Sequence, residues 1–341
     1  MNKDNLIERI YAQAKSDPQT IVFPEASDEK MLQAAYETAS GGYGHCLLIG
    51  NPAELKTLCR KLDYDENSFR FVDINDTEYR NQLISKYIGL PDAILEESTL
   101  IRRMASPLYF AMVMQAVGDA DVTIGGFEAT TADVIQAAIE VIGMEEDAET
   151  VSSVSMCDIP NFDGSEGSLL AVADIAVCPD PDASQLASIA ITSCDTISQL
   201  TGWTPRCAML SFSSDGSASH DLVDKVIEAL EIVKGKRPDL MIDGEFQADV
   251  AIDPESAAKK IKRPSEVAGK ANILIFPDLN AGNIGAKILN KIAHAQFFGV
   301  FMQGFKLICS DSARSASVPE LVQNIIFSAV RAANLKKKKT S

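Results

Sequence analysis

Three stretches of the chain combine small residues with hydroxyl and amide side chains at points where a strand pattern gives way to a helix pattern. The first is Phe276-Pro277-Asp278-Leu279-Asn280-Ala281-Gly282-Asn283-Ile284. It predicts a buried strand ending at Phe276 and a helix beginning near Gly282, with Asn280 as its N-cap. Backbone N–H groups exposed at such a helix start suit a phosphate or a carbonyl oxygen, and a glycine lets the ligand come close. The same residues also read as an ordinary strand-to-helix turn. The second, Leu210-Ser211-Phe212-Ser213-Ser214-Asp215-Gly216-Ser217-Ala218-Ser219, sets five serines around a glycine. Ser213 and Ser214 are its anion-binding candidates; the alternative is a polar loop with Ser219 capping the next helix. In the third, Gly125-Gly126-Phe127-Glu128-Ala129-Thr130-Thr131-Ala132-Asp133, Thr130 and Thr131 lie at a helix entry.

The elements that must position these loops are legible as apolar runs, each followed by a helical pattern. Thr20-Ile21-Val22-Phe23 precedes a helix from about Asp28, and Cys46-Leu47-Leu48-Ile49 precedes one beginning near Pro52. Ala208-Met209-Leu210, Leu240-Met241-Ile242 and Ile273-Leu274-Ile275-Phe276 repeat the alternation. This rhythm predicts an α/β protein with mainly parallel, doubly wound sheets, whose ligands gather at the carboxyl ends of the strands. Residues 151–157 and 168–174 break it and predict an antiparallel hairpin marking the start of a second domain. The expected division is 1–148 with 300–341 as domain I, and 149–299 as domain II.

With 341 residues the chain suits two packed domains. Its 46% hydrophobic, 23% charged and 6% aromatic composition is that of a soluble globular protein. No apolar run reaches the roughly 20 residues of a membrane span, and the N-terminus predicts an amphipathic helix rather than a signal peptide, so a cytoplasmic location is expected. Seven cysteines (Cys46, Cys59, Cys157, Cys178, Cys194, Cys207 and Cys309) form no CxxC pair, and three histidines offer no metal cluster. They read as reduced core thiols. The net charge of −17 argues against nucleic acid or an anionic membrane as partner, so any anion site must gather cations locally. The run Lys336-Lys337-Lys338-Lys339 reads as a frayed, solvated tail. There is no P-loop and no dinucleotide fingerprint, since Gly41-Gly42-Tyr43-Gly44 has neither the spacing nor the context.

Three ordered matches, Asp243-Gly244-Glu245-Phe246-Gln247-Ala248-Asp249, Val267-Ala268-Gly269-Lys270-Ala271-Asn272 and the 276–284 run, lie within a likeness that begins at Phe23-Pro24-Glu25. On these the sequence resembles the phosphate acetyltransferase (phosphotransacetylase) family of phosphate acyltransferases over almost its whole length. The resemblance implies two α/β domains of isocitrate/isopropylmalate dehydrogenase-like architecture with the active site in a cleft between them. It also implies a homodimer with no metal or prosthetic group. The implied reaction moves an acetyl or other short acyl group between coenzyme A and inorganic phosphate.

An ungapped match to the family's Asp-Leu-Ser-Arg-Gly-Cys-like run falls on Asp311, Ser312, Ala313, Arg314 and Ser315. It implies phosphate binding by Arg314, a catalytic carboxylate at Glu320 where the family has aspartate, and a hydroxyl from Ser312 or Ser315, since Ala313 takes the serine position. Thr130, Thr131, Gln136, Ser213, Ser214, Lys270, Asn280, Asn283, Lys287 and Lys291 fall to substrate and coenzyme A binding. Gln136 and Lys291 stand where the family has arginines, and Ser85 is nearest to a third, with Arg102 and Arg103 close by in sequence. Two readings follow: an active phosphate acyltransferase, or a non-catalytic relative that binds coenzyme A or an acyl phosphate as a scaffold or regulator. A metal-dependent dehydrogenase of similar shape lacks its carboxylate cluster.

Overall fold

Capped helices alternating with short apolar strands build the chain, and the computed structural model describes residues 3–340 of it. The elements begin α1 (Lys3–Ser16), β1 (Gln19–Phe23), α2 (Glu29–Ser40), β2 (Gly44–Ile49), α3 (Pro52–Lys61) and β3 (Phe69–Val72). They continue with α4 (Thr77–Ile88), α5 (Glu97–Arg103), α6 (Pro107–Ala116), β4 (Val122–Gly125), α7 (Thr131–Val141), β5 (Ser152–Asp158) and β6 (Leu169–Ala173). Next come α8 (Ala183–Thr201), β7 (Arg206–Leu210), α9 (Asp221–Lys236), β8 (Met241–Phe246), α10 (Ala248–Ile252) and α11 (Pro254–Lys260). The last are β9 (Ile273–Ile275), α12 (Leu279–Ile292), β10 (Gln296–Gln303), β11 (Ile308–Asp311) and α13 (Val318–Thr340).

The chain divides into two units, one of Met1–Glu8 with Glu146–Gly304 (the inner unit) and one of Arg9–Glu145 with Phe305–Ser341 (the outer unit). The inner unit runs past residue 299 because β10 goes on pairing with β5 as far as Gln303 opposite Ser152. Residues 3–8, the first part of α1, group with it rather than with the segment that follows them.

The outer unit is built on a five-stranded sheet in the order β11-β4-β1-β2-β3, every pairing parallel. Its β1 residues Ile21, Val22 and Phe23 are fully buried, as expected for a strand covered on both faces. Helix α13 packs on β1, β4 and β11, and α6 packs on β1 and β4. Lys336 and Lys337 are not a frayed tail. They lie in α13, and pair with Asp121 at 2.6 Å and Asp17 at 2.9 Å.

The inner unit carries a six-stranded sheet in the order β10-β5-β6-β9-β7-β8. Its β6-β9-β7-β8 part is parallel, while β5 and β6 form the expected antiparallel hairpin and β10 adds antiparallel to β5. The α/β class with mainly parallel sheets is thus observed. Two helix starts differ from expectation. Asp278, not Asn280, caps α12 by accepting the Ala281 N–H at 2.9 Å, and the helix begins at Leu279. His220, not Ser219, caps α9 through its Nδ1, which accepts the Leu222 N–H at 3.1 Å. In both cases the side chain whose rotamer reaches the free N–H wins over a neighbour of equal or better capping propensity.

Candidate functional site

In the outer unit the loops after β1, β4 and β11 meet at the carboxyl edge of three adjacent parallel strands. Glu25, two residues beyond β1, is buried and receives the N–H of Phe127 at 2.7 Å and of Ala129 at 2.8 Å. These bonds shape the loop after β4, and the carbonyls of Phe127 and Glu128 accept the Arg314 fork, Nε on Phe127 and Nη2 on Glu128 at 2.5 Å. Arg314 is exposed, and its Nη1 points to no partner among the described residues. The three loops are therefore one unit of structure, with the arginine held by carbonyls that a buried carboxylate has fixed.

Asp311 ends β11 opposite Gly125 in the parallel ladder, and Ser312 donates its N–H to the Gly125 carbonyl at 2.8 Å. The Thr131 hydroxyl donates to Asp311 Oδ2 at 2.5 Å. A Cβ placed on Gly126, whose φ is +93°, would lie 1.8 Å from Asp311 Oδ1, so the carboxylate needs glycine beside it. Burial, followed by the nearby charge of Glu25, pushes the Asp311 carboxyl above its usual range, against the pull of the Thr131 hydrogen bond.

The remaining outer-unit candidates have specific partners. Thr130 is the N-cap of α7 in a capping box with Asp133. Gln136 donates to Glu140 at 2.8 Å, and that carboxylate also takes Arg103 at 2.9 Å and the Tyr109 hydroxyl at 2.8 Å. The Gln136 amide is thus engaged in a network that already holds a cation. Ser312 turns its hydroxyl inward: the residue is 1% exposed and its Oγ has no partner among the described residues. It therefore does not supply the exposed hydroxyl that Ala313 lacks. Glu320 accepts the Ser317 N–H at 2.7 Å and the Ser317 hydroxyl at 2.8 Å, so it caps the start of α13. The Ser317 N–H, then its hydroxyl, hold the Glu320 carboxyl below its usual range.

In the inner unit the serine loop after β7 is internally bonded. Ser213 is fully buried and accepts the Ala218 N–H at 3.0 Å; Ser214, 5% exposed, accepts the Gln247 N–H at 2.8 Å. Both hydroxyls shape the loop, and Glu245 adds a bond to the Gly216 N–H at 3.0 Å. Asp243 takes both arms of Arg263 at 2.8 Å and the Ser265 hydroxyl at 2.5 Å. At α12, Asn283 donates to the Ile175 carbonyl at 3.0 Å, and Gly282 packs against the Asp174 carbonyl so closely that a Cβ would stand 2.0 Å from it. Asn280 is exposed in the first turn; Lys270, Lys287 and Lys291 are exposed and make no ion pair among the described residues.

Sequence reasoning missed Glu25, Gly126 and the Thr131–Asp311 pair. Their signal was positional. Glu25 directly follows Phe23-Pro24 at a strand's carboxyl end, and Gly126 follows the last residue of β4. Which loops meet there is set by the strand order β11-β4-β1, which the sequence does not announce.

The family model for phosphate acetyl/butaryl transferase matches residues 5–329. A phosphate acetyltransferase of Acetivibrio thermocellus is 36% identical over 338 residues, covering 97% of this chain and 99% of the relative. One from Clostridium acetobutylicum is 37% identical over 335 residues, covering 96% and 98%. Among solved structures, a phosphotransacetylase from Streptococcus pyogenes superposes with a TM-score of 0.90 at 30% identity, covering 98% of this chain and 99% of that one. The chain belongs to the phosphate acetyl/butaryl transferase family. Among the described residues no helix is long and apolar enough to cross a membrane.

Proposed function

We propose that the protein is a phosphate acyltransferase of the phosphate acetyltransferase type, interconverting a short-chain acyl-CoA plus phosphate with the acyl phosphate plus coenzyme A. The observation that carries this reading on the family scaffold is Arg314, exposed at a strand-end loop with its fork set by the Phe127 and Glu128 carbonyls and its Nη1 edge open. A planar guanidinium with a fixed orientation suits a phosphoryl group. Coenzyme A enters as a substrate, and the transfer needs no metal or prosthetic group. Lys270, Lys287 and Lys291 are the cations offered to its phosphates, local positive charge on a chain of net charge −17.

The test is turnover: acyl phosphates of two to four carbons are incubated with coenzyme A and thioester formation is followed. Turnover in excess of a heat-treated control is expected. Calorimetric binding of coenzyme A without turnover would replace this reading by that of a binding protein, which the missing hydroxyl at Ala313 favours. Arg314→Ala should raise the KM for acyl phosphate about 10-fold or more, the loss of a charge-assisted hydrogen bond.

Two further parts of the reading concern setting. Seven free, buried cysteines fit a reducing compartment, the cytoplasm. The exposed isoleucines Ile284, Ile288 and Ile292 of α12, at 57%, 51% and 76% exposure, recur at i, i+4 and i+8 and form one apolar stripe, which supports a homodimer.

A further inference from the structure

A chain of net charge −17 that takes polyanionic substrates must gather its cations locally. The outer unit brings three arginines to the carboxyl end of α5. Arg102 and Arg103 form the last turn of that helix. Arg80 of α4 donates its Nη2 to the carbonyl of Met104, the C-cap of α5, at 3.3 Å. A single carboxylate answers these three guanidiniums among the described residues: Glu140 of α7, which takes Arg103 Nη2 at 2.9 Å. Arg102 has only a 3.5 Å contact to the Thr99 hydroxyl, and the Arg80 Nε is buried without a partner among the described residues. Two of the three charges are therefore uncompensated, in a protein whose surface is otherwise acidic.

Arg103 is also fixed in direction. Its guanidinium lies over the Tyr109 ring, 4.9 Å from the centroid. The Tyr109 hydroxyl holds the second oxygen of Glu140 at 2.8 Å, and the Gln136 amide shares the first at 2.8 Å. With the side chain 37% exposed, Arg103 keeps Nε and Nη1 free of partners among the described residues. Such a fork loses little freedom when it meets a phosphate. The cluster also flanks the strand-end loops. Leu108, beside Tyr109 in α6, and Val134 of α7 would stand 3.1 and 3.6 Å from a Cβ on Gly125, the residue paired with Asp311.

We infer that this arginine cluster binds a phosphate group at the nucleotide end of coenzyme A. Arg103 is the direct contact, through the nitrogens that Glu140 leaves free, and Arg102 and Arg80 add positive charge beside it. Glu140 and Tyr109 position Arg103. The inference rests on the acyl-transfer reading. In that reading Arg314 serves the reacting phosphoryl group, so a second, separate group of guanidiniums suits the phosphates that coenzyme A carries far from its thiol. Gln136 brings no charge of its own, and the cation it lacks stands across the same carboxylate.

The experiment measures KM for coenzyme A, dephospho-coenzyme A and acyl phosphate, with calorimetric Kd for both thiols, in wild type, Arg103→Gln, Arg103→Lys and Arg102→Gln. Arg103→Gln should raise KM and Kd for coenzyme A about 10-fold, the loss of a charge-assisted hydrogen bond, and leave the KM for acyl phosphate unchanged. Arg103→Lys keeps the charge without the fork and should show a smaller rise. The penalty should shrink in about 1 M salt, where the Debye length is about 3 Å. Dephospho-coenzyme A keeps the diphosphate and lacks the 3′-phosphate. A penalty that vanishes with it assigns the cluster to the 3′-phosphate, and one that persists assigns it to the diphosphate. Arg102 is exposed and holds no ion pair, so Arg102→Gln carries the test if Arg103→Gln does not fold. Its rise for coenzyme A should be about 2–5-fold, the range for an exposed charge pair. Coenzyme A constants unchanged in these variants, or a rise shared equally by acyl phosphate, overturn the inference. A wild type that binds coenzyme A without turnover overturns the acyl-transfer reading instead, and the calorimetric arm still tests the cluster.

Discussion

At the scale of residues, the outer-unit site depends on one glycine and one buried carboxylate more than on the side chains that would meet substrate. Gly126 takes a φ of +93° and lies against Asp311 Oδ1. Gly126→Ala should cost about 1–3 kcal/mol in stability from backbone strain and displace the carboxylate, which urea melts and kcat measured together would show. Glu25→Gln removes the charge that two N–H groups share at 2.7 and 2.8 Å. It should destabilise by about 1.5–3 kcal/mol and raise the KM for acyl phosphate through the loosened Arg314 carbonyls. An unchanged KM would separate Glu25 from the arginine. Ser312 shows the reverse case. Its buried, unpartnered hydroxyl is a cost in the folded state, so Ser312→Ala should leave the melting temperature unchanged or raise it.

At the scale of elements, helix ends and one helix face carry the consequences. The Ser317–Glu320 pair begins α13, the helix that packs on β1, β4 and β11. Glu320→Ala should cost about 0.5–2 kcal/mol by thermal melting, the range for lost caps. Helix α12 exposes Ile284, Ile288 and Ile292 in a stripe. If that face joins two copies, Ile288→Lys should shift the protein from dimer to monomer in light scattering while leaving the circular dichroism of the fold intact. A wild-type monomer would remove that role from the stripe. Element types were legible because strand runs and helix periods are local. Cap identity was not: Asn280 and Ser219 have suitable side chains, but the N–H groups are reached by Asp278 and His220. Nor was the state of the lysine run, since Asp17 and Asp121 are remote in sequence from Lys337 and Lys336.

At the scale of the molecule, pH sets stability through carboxylates bound within each unit. Burial works to raise the Asp243 carboxyl, but the Arg263 fork, the Ser265 hydroxyl and the Gly244 N–H bring it below its usual range. A depressed folded-state pKa contributes stability that is present above the ordinary aspartate value, about 3.9, and is lost as pH falls through the depressed one. Urea unfolding between pH 7 and pH 3 should therefore show an acid loss in wild type that shrinks in Asp243→Asn. Equal acid losses would show that Asp243 does not contribute.

The sequence by itself determined the α/β alternation, the β5–β6 hairpin and the family, because apolar periodicity and contiguous motifs are properties of neighbouring residues. It also marked the loop that carries Arg314. Only the tertiary structure decided what those loop residues do. Strand order places β11, β4 and β1 side by side, bringing Glu25, Thr131, Asp311 and Arg314 together from three separate segments. It turned Ser312 inward, tied Gln136 to Glu140 and gave Glu320 to a helix start. The physical reason is that burial and hydrogen-bond partnership are set by which strands lie adjacent, and adjacency in a parallel sheet is not adjacency in the chain.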